Sequence, residues 1–359
     1  MVTAIELGLL YAIMALGVYL TFRILEFADL TVDGSFATGA AVSAITIVNG
    51  VDPILATIAG FVSGMIAGAI TGILHTKANI DGLLAGILTQ IGLYSINLRI
   101  MGAANISLLR EDSLLSGLRD AGHLGTGSWT GTLILLPVVV IVLAIIVWFL
   151  HTSLGLAMRA TGDNPEMIQS FGVSTDVQKI LGLSISNGLV ALSGSLIAQY
   201  QGFADVSMGI GIIVAGLASV IIGQAIIGRL TVPRAATAVV LGAVLYRVVI
   251  YLAIEAGLNP NDTKLISAVL VVLALVLPQW SVLKRVPRAF RPKHEDALQN
   301  PEILPDDVVA ASVAGGSENV VGGGRDGGQT DGASRADGTS RADGVVEKAR
   351  NKHAEATEH

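Results

Sequence analysis

Long apolar segments, separated by short polar ones, make up most of the chain before residue 284. A helix needs about 20 apolar residues to cross the hydrocarbon core of a bilayer, and in lipid the backbone must satisfy its hydrogen bonds within helices or closed barrels. Apolar residues make up 52% of the sequence and charged residues 14%, which is typical of multi-pass membrane proteins. We therefore predict an all-α polytopic membrane protein with about nine transmembrane or re-entrant helices. Their expected bounds are 4–22, 34–50, 53–74, 81–98, 131–150, 179–200, 210–228, 235–253 and 264–281.

Two of these segments have special features. The first lacks the basic region of a signal peptide, since Glu6 is its only charged residue. We therefore expect residues 6–22 to form a transmembrane helix rather than a cleaved leader. The segment 34–50 is short and rich in glycine, so we expect that helix to be broken or re-entrant.

The distribution of basic residues predicts the orientation, because cytoplasmic loops of membrane proteins carry an excess of Lys and Arg. With the amino terminus outside, eleven basic residues face inwards and four face outwards. The carboxyl terminus and the loop 154–178 are then cytoplasmic, and the loop 99–130 is external.

The chain is expected to have three parts: a transmembrane domain (1–283), a basic juxtamembrane segment (284–294) and a tail (295–359). Residues 294–359 contain 13 Asp and Glu against 6 Lys and Arg, so the tail accounts for the net charge of −6. The tail is rich in Gly, Asp, Ser and Ala, and such a composition buries too little apolar surface to fold. We expect it to be acidic and disordered.

Several kinds of chemistry are absent from the sequence. It has no cysteine, which excludes disulfides and thiolate metal sites. It contains no G-x-x-x-x-G-K-[ST] phosphate loop, no H-E-x-x-H and no G-x-S-x-G pattern, and its six histidines are scattered. We expect no catalytic residue, no metal site, no cofactor bound by this chain and no nucleic-acid surface.

A polar segment separates the fifth and sixth predicted helices. Asp163 or Asn164 can cap a helix, and Pro165 and Glu166 suit its first turn. Gly172 is a natural stop for it. We predict one short helix of about 7 residues that presents an apolar docking ridge. The ridge consists of Met167, Ile168 and Phe171.

Polar side chains inside predicted membrane helices are candidates for a solute path, because they are costly in lipid unless they face a cavity or a partner. Gln90 and Asn97 are seven residues apart and share one helix face. Most of the candidates are amides and hydroxyls rather than the acids and histidines of a proton relay. Each alone also fits a hydrogen bond between helices, and both interpretations stay open. The candidate path residues are Asp33, Gln90, Asn97, Ser184, Asn187 and Gln224.

Two charged positions and two glycine-rich stripes also have alternative interpretations. Asp33 fits the N-cap of the second helix or a broken-helix element along the path. Arg247, inside the eighth predicted helix, either extends to the outer surface or belongs to an external gate.

Stripes of small residues every four positions allow tight packing, and also sliding at a gate. They are Gly60, Gly64, Gly68 and Gly72 on the third helix, and Gly211, Ala215, Ser219 and Gly223 on the seventh.

The region 154–199 resembles the signature region of permeases of binding-protein-dependent ABC importers, in particular the branched-chain amino acid and ribose type. Its R-A-x-G-x-N-P element is matched by RATGDNP (159–165), its G-[IV] pair by residues 172–173, and its A-L-[SA]-G element by residues 191–194. The resemblance covers roughly residues 5–283. The junction beginning EFADLTVDGSF departs from the amino acid subgroup and looks more like a subgroup associated with the uptake of aromatic amino acids.

The resemblance implies a multi-pass permease subunit in the bacterial plasma membrane that forms the path for a small polar solute, such as an amino acid. Its expected partners are a separate ABC ATPase, which binds ATP and Mg²⁺, a second permease copy in a homodimer, and an external solute-binding protein. The binding protein would contact the loop 99–130 and residues 259–262. By motif match, the ATPase-coupling residues are Arg159, Gly162, Asn164, Pro165, Glu166, Met167, Ile168, Phe171 and Gly172.

Other readings of the residues remain open at this point. An ion-coupled secondary transporter or channel would need a relay within the membrane helices, and a membrane-embedded enzyme would need a cluster of His, Asp and Glu. An exporter of the same superfamily is also compatible with the physical pattern.

Overall fold

The structure is a computed structural model that describes residues 1–116, 129–228, 231–257 and 263–276. It is helical throughout, apart from two short strands. In chain order the elements are α1 (Val2–Tyr19) with a π-helical turn (Leu20–Ile24), α2 (Thr31–Val48), α3 (Pro53–Thr76), α4 (Gly82–Met101), β1 (Asn105–Ser107), α5 (Trp129–His151), α6 (Ser153–Asp163), α7 (Pro165–Ser170), α8 (Thr175–Gln201), β2 (Phe203–Asp205), α9 (Ile212–Ile227), α10 (Val232–Glu255) and α11 (Thr263–Val276).

Seven helical segments within the described ranges are long and apolar enough to cross a membrane. They are α1 with its π turn, α2, α3, α4, α5, α8 and α10. Helix α9 has 16 residues and is shorter. The chain therefore has the architecture of a polytopic helical membrane protein, whereas the count of nine helices and the orientation of the termini stay predictions. Residues 117–128 of the loop 99–130, the contact region 259–262 and the tail lie outside the described residues.

Helix α1 forms the centre of the bundle. All residues from 8 to 21 are buried, although a membrane helix at the periphery would expose one face to lipid. It packs against α8, α10, α5 and α9, while α2 packs between α8, α3 and α4. The buried carboxylate of Glu6 accepts a hydrogen bond from the Tyr200 hydroxyl, with 2.7 Å between the oxygens. The helix predicted over 6–22 is thus the core of the fold.

The glycine stripe of α3 serves tight packing against α8. A methyl group at Gly64 would overlap Ala191 and the carbonyl oxygen of Asn187, and one at Gly68 would overlap the carbonyl oxygen of Leu183. Small residues here bring two backbones close together, which maximises van der Waals contact where the hydrophobic effect gives no help. The packing interpretation of this stripe is the one that the contacts support.

The prediction of a broken helix over 34–50 is wrong. Helix α2 runs without interruption from Thr31 to Val48, because its glycines fill tight contacts instead of unwinding the backbone. A methyl group at Gly39 would overlap the backbone of Ala191. The irregular stretch is found elsewhere, between the end of α8 and the start of α9, where Gly202 and Gly211 have φ angles of 79° and 83°.

Beyond the membrane helices, two short strands join distant loops. β1 pairs with β2 in an antiparallel register that places Ile106 opposite Ala204. The Leu114 amide also donates a hydrogen bond to Oε1 of Gln199 (3.0 Å). These contacts attach the segment after α4 to the end of α8.

Candidate functional site

The short helix predicted in the polar segment is present as α7. Asn164 is its N-cap, with its Oδ1 accepting a hydrogen bond from the Met167 amide at 2.9 Å, and Pro165 occupies the first helical position. Gly172 ends it in the left-handed region (φ 82°), where other residues are strained. Each of these features is set by residues within or next to the helix, which is why the sequence predicted it.

Helix α7 projects from the bundle with apolar side chains uncovered. None of its residues is buried. Met167 is 48% exposed and Phe171, which follows the helix, is 75% exposed, while Ile168 is partly covered. Large apolar side chains at the tip of a polar loop indicate a surface that another protein covers.

Helix α6, which leads into α7, is anchored in the bundle. Met158 is fully buried, and Thr152 caps the helix by accepting a hydrogen bond from the Gly155 amide. Gly162 lies directly against the carbonyl oxygen of Ile24, the last residue of the π turn, and a methyl group there would overlap that oxygen. The glycine of the signature motif therefore allows a backbone-to-backbone contact between α6 and the end of α1.

A cavity of about 270 Å³ lies between α2, α4 and the segment before α9. Three of the predicted path residues, Asp33, Gln90 and Asn97, line it. The structure adds residues that the sequence analysis missed. They are Tyr94 and Ser95 as further polar groups, and Ile91, Val206 and Ile210 as apolar walls. Tyr94 stands four residues after Gln90 on the same helix face, so the spacing that selected Gln90 and Asn97 would also have found it.

Asp33 is not the N-cap of α2, since it lies inside the first turn of that helix. Its carboxylate instead holds the start of another helix: Oδ2 accepts a hydrogen bond from the Gly211 amide and Oδ1 one from the Ile213 amide, both at 2.8 Å. A carboxylate suits this position because helix N-terminal amides lack intrahelical partners and carry partial positive charge. The start of α2 is stabilised by Asp29, whose Oδ1 accepts from the Thr31 amide.

Asn97 is the unusual residue of this cavity. Its side chain is 0% exposed, yet neither Oδ1 nor Nδ2 has a hydrogen-bond partner among the described residues. A buried amide without partners costs on the order of 1–3 kcal/mol in proteins. Because such a cost is rarely retained without use, the amide indicates a site that something polar occupies.

Ser184 and Asn187, in contrast, do not line the cavity. Nδ2 of Asn187 donates to Oδ2 of Asp29 at 2.6 Å, Ser35 donates to Oδ1 of Asn187 at 2.7 Å, and Ser184 donates to the Met65 carbonyl at 2.9 Å. Burial raises the pKa of the Asp29 carboxyl, and the hydrogen bonds from Thr31 and Asn187 oppose that rise. The polar atoms of these two residues are used in hydrogen bonds between helices, and their assignment to the path stays a prediction.

The two remaining candidates lie apart from this cavity. Gln224 lines a different cavity, near α6 and the end of α1. Arg247 lies over the ring of Tyr11 in α1, with 3.6 Å between Cζ and the ring centroid, and Tyr11 in turn stacks on Phe36. The guanidinium thus packs on an aromatic face in the middle of α1. Its assignment to a gate stays a prediction.

Comparison with known proteins gives consistent matches. The family described as "Branched-chain amino acid transport system / permease component" matches residues 1–276. The chain is 42% identical to the tyrosine transport system permease protein of Clostridioides difficile, over 80% of this chain and 94% of that protein. It is 38% identical to an uncharacterised protein of Rickettsia prowazekii (77% and 96% covered) and 27% identical to the autoinducer 2 import system permease protein of Salmonella paratyphi B (61% and 60% covered). No solved structure matches the chain.

Proposed function

The chain belongs to the permease component family of branched-chain amino acid transport systems, and we propose that it forms half of the path for an amino acid with an aromatic side chain. It is the membrane subunit of an ABC importer, and it is not itself an enzyme, because ATP hydrolysis takes place in a separate subunit. This assignment replaces the alternative of an ion-coupled transporter or channel. The system includes an ATPase and a solute-binding protein as its other components.

The cavity between α2 and α4 is the proposed solute path, and the unpartnered amide of Asn97 carries this proposal. Nδ2 offers hydrogen-bond donors and Oδ1 an acceptor, so one side chain can pair with both the carboxylate and the ammonium of an amino acid. Gln90 and Ser95 add further polar contacts. A solute path needs only a few such polar side chains, because tight binding would slow the release of the solute.

The apolar part of the same cavity supports an aromatic side chain for the solute. Tyr94, Ile91, Val206 and Ile210 provide one aromatic ring and three aliphatic surfaces. Aromatic rings stack favourably on such surfaces. The similar protein of Clostridioides difficile is named for tyrosine transport, and this cavity fits the same kind of solute.

A second copy of the chain would complete the path. Ile91 is 62% exposed and Tyr94 48% exposed, although both line the cavity. Side chains that face a solute path on one side and are open on the other fit a path between two copies. We therefore propose a homodimer whose two cavities face each other.

The proposed coupling to ATP hydrolysis uses α7. The exposed Met167 and Phe171, with Ile168, would fill a groove of the ATPase, and Arg159 and Gly162 on α6 would transmit its movement to α1. Asn164, Pro165, Glu166 and Gly172 maintain the shape of the helix that docks. ATP and Mg²⁺ would be bound by the ATPase alone.

The proposed setting is the bacterial plasma membrane. With about nine membrane passages, an external amino terminus and a cytoplasmic carboxyl terminus, α7 would lie on the ATPase side. Residues 1–283 would form the membrane domain, residues 284–294 a basic segment at the inner surface, and residues 295–359 an acidic tail. The loop 99–130 would face the solute-binding protein.

Uptake of labelled tyrosine tests the proposal. The permease is reconstituted in proteoliposomes with its ATPase and binding protein, and ATP is enclosed on the ATPase side. Asn97→Leu is expected to reduce uptake at least tenfold, because the solute loses a donor and an acceptor. Asn49→Leu, an exposed asparagine at the end of α2, is the matched control and should transport normally. Full uptake by Asn97→Leu would refute the assignment of this cavity.

A further inference from the structure

A second cavity, of about 180 Å³, lies between the π-helical end of α1, α6, the end of α9 and the start of α10. It shares no lining residue with the cavity between α2 and α4. Its walls include Gln224, which the sequence analysis selected for its polarity within a membrane helix. The proposed solute path does not use this cavity.

Gln224 is the first sign that the cavity holds a ligand. Its side chain is 4% exposed, and its Nε2 has no hydrogen-bond partner among the described residues. An amide nitrogen can only donate, so the group that satisfies it must carry an acceptor oxygen. Gln224 is one of the residues that line the cavity, so an acceptor bound there would lie next to this side chain.

Two arginines converge on the same space. Arg23 and Arg159 both line the cavity, and both are close enough to Tyr19 to interact electrostatically with its hydroxyl. Neither arginine forms a salt bridge within the described ranges of the chain. Two guanidinium groups that line one cavity repel each other, and an anion bound there would reduce that repulsion and gain charge-assisted hydrogen bonds.

The start of α10 adds further donors. Thr231, its N-cap residue, makes no side-chain cap, and Thr231 and Val232 both line the cavity. The first amides of a helix have no intrahelical partners and favour an anionic oxygen nearby. Together with Gln224 and the arginines, they make this a site for an oxyanion.

Acidic residues on the wall narrow the class of ligand. Glu26 and Asp163 also line the cavity, and both are exposed. A bare anion would be repelled by these two carboxylates. A zwitterion would satisfy both sets of charges, with its anionic oxygens at the arginines and its ammonium at the carboxylates.

We propose that this cavity binds a zwitterionic group, an ammonium joined to a carboxylate or phosphate, which contacts Gln224, Arg23 and Arg159 through its anionic oxygens. The headgroup of phosphatidylethanolamine and a free amino acid share this chemistry. The ligand would connect α6, which leads directly into α7, to the ends of α1 and α9. A ligand bound in this cavity would thereby stabilise one position of α6, and with it the position of the docking helix α7.

The test measures both sources of the ligand on the purified full-length chain. In the first arm, native mass spectrometry compares retained phosphatidylethanolamine with phosphatidylglycerol, which has the phosphate without the ammonium. In the second arm, equilibrium dialysis measures binding of labelled glycine in nanodiscs that contain no phosphatidylethanolamine. Inorganic phosphate is the bare-anion probe in both arms.

Gln224→Leu and Arg23→Gln are expected to reduce retention or binding of the zwitterion about tenfold each, since each loses a hydrogen bond to a charged group. Arg99→Gln removes an equal charge from the far end of α4, where the side chain is exposed, and should have no effect. Asn97→Leu should leave the retention of phosphatidylethanolamine unchanged, which separates this site from the solute path. Gln224→Leu removes a buried Nε2 that has no partner among the described residues, so the melting temperature of the variant should not fall.

Two results would overturn the proposal. One is a failure of the zwitterion test itself. This means either that the wild-type protein binds neither zwitterion, or that Gln224→Leu and Arg23→Gln bind them as well as the wild-type protein does. The other is equal binding of phosphatidylglycerol or inorganic phosphate. If both variants lose binding of only one of the two zwitterions, the result supports the site. It also identifies whether the lipid headgroup or the free amino acid is the ligand.

Discussion

Asp33 in the first turn of α2 is joined to Ile213 in the first turn of α9 by a hydrogen bond of 2.8 Å between Oδ1 and the amide nitrogen, across 180 residues of sequence. The neighbouring amide of Gly211 donates to the other oxygen of the same carboxylate. Gly34, the residue after Asp33, lies against Gln90 near the middle of α4. Because Asp33 binds the start of α9, that helix begins next to the cavity that Gln90 lines. One carboxylate thus sets where the short helix starts and also forms part of the cavity wall.

We expect Asp33→Ala to lower the free energy of unfolding by about 1–2 kcal/mol, because α9 loses its cap. Tyrosine uptake should fall more steeply than stability, since the start of α9 also shapes the cavity. The measurements are thermal unfolding in detergent and uptake in proteoliposomes. Asp52→Ala is the control: Asp52 caps α3 by accepting from the Ile54 amide at 2.8 Å, but it is exposed, so it should cost stability and leave uptake intact. Equal uptake by the two variants would contradict the role of Asp33 in the cavity.

Two fully buried asparagines should respond in opposite ways to the same substitution. Asn187→Leu removes the donor to Asp29 and the acceptor for Ser35, and we expect a loss of about 2–3 kcal/mol in stability. Asn97→Leu removes an amide without partners in the described part of the chain, so stability should stay constant or rise by up to about 2 kcal/mol, while transport falls. Denaturation midpoints of the two variants, measured side by side, check this. A large destabilisation by Asn97→Leu would mean that Asn97 is a structural residue.

Phe171→Asp should prevent the ATPase from binding without affecting membrane insertion. An exposed aromatic residue that fills a pocket of a partner contributes about 2 kcal/mol or more, which corresponds to at least about thirtyfold in affinity. Affinity purification of tagged permease from membranes, followed by quantification of the ATPase, measures the effect. Phe203→Asp, at a strand residue that is 40% exposed, should retain the ATPase. Normal ATPase recovery with Phe171→Asp would exclude α7 as the docking element.

Gly162→Ala should uncouple docking from transport. The added methyl group overlaps the carbonyl oxygen of Ile24, and relieving the overlap displaces α6 from the end of α1 at a cost of about 1–3 kcal/mol. We expect the ATPase to remain bound, because α7 is unchanged, while uptake per ATP hydrolysed decreases. The ratio of labelled tyrosine to released phosphate is the readout.

Gly92→Ala is the control for that experiment, because a methyl group there meets nothing within 4 Å. It should keep the wild-type ratio. A wild-type ratio for Gly162→Ala as well would show that the contact with Ile24 does not carry the coupling.

Local determinants explain what could be predicted. The short helix α7 depends on Asn164 as cap, Pro165 in its first turn and Gly172 at its end, all within nine residues of one another. The membrane helices are likewise predicted by their own length and composition, since a spanning segment must satisfy its backbone internally. In both cases the physical cause lies within the segment that it shapes.

The errors occurred where the cause is distant in sequence. Glycine in α2 suggested a break by its backbone freedom, but Gly39 is needed for contact with Ala191, which lies on α8. Asn97 and Asn187 have the same chemistry and similar settings in sequence. Only the bundle determines that Asn187 has partners while Asn97 has none among the residues that the structure describes.

The sequence by itself determined that this chain is a helical membrane protein with one capped, apolar-faced helix outside the bundle, because hydropathy and capping act over a few residues. Tertiary structure decided which polar groups are satisfied and which line a cavity, because that depends on side chains from helices far apart in the chain. Asp33 illustrates the difference: its charge at the start of α2 is visible in the sequence, but Gly211, the N-cap residue of the helix whose amides it binds, lies 178 residues later.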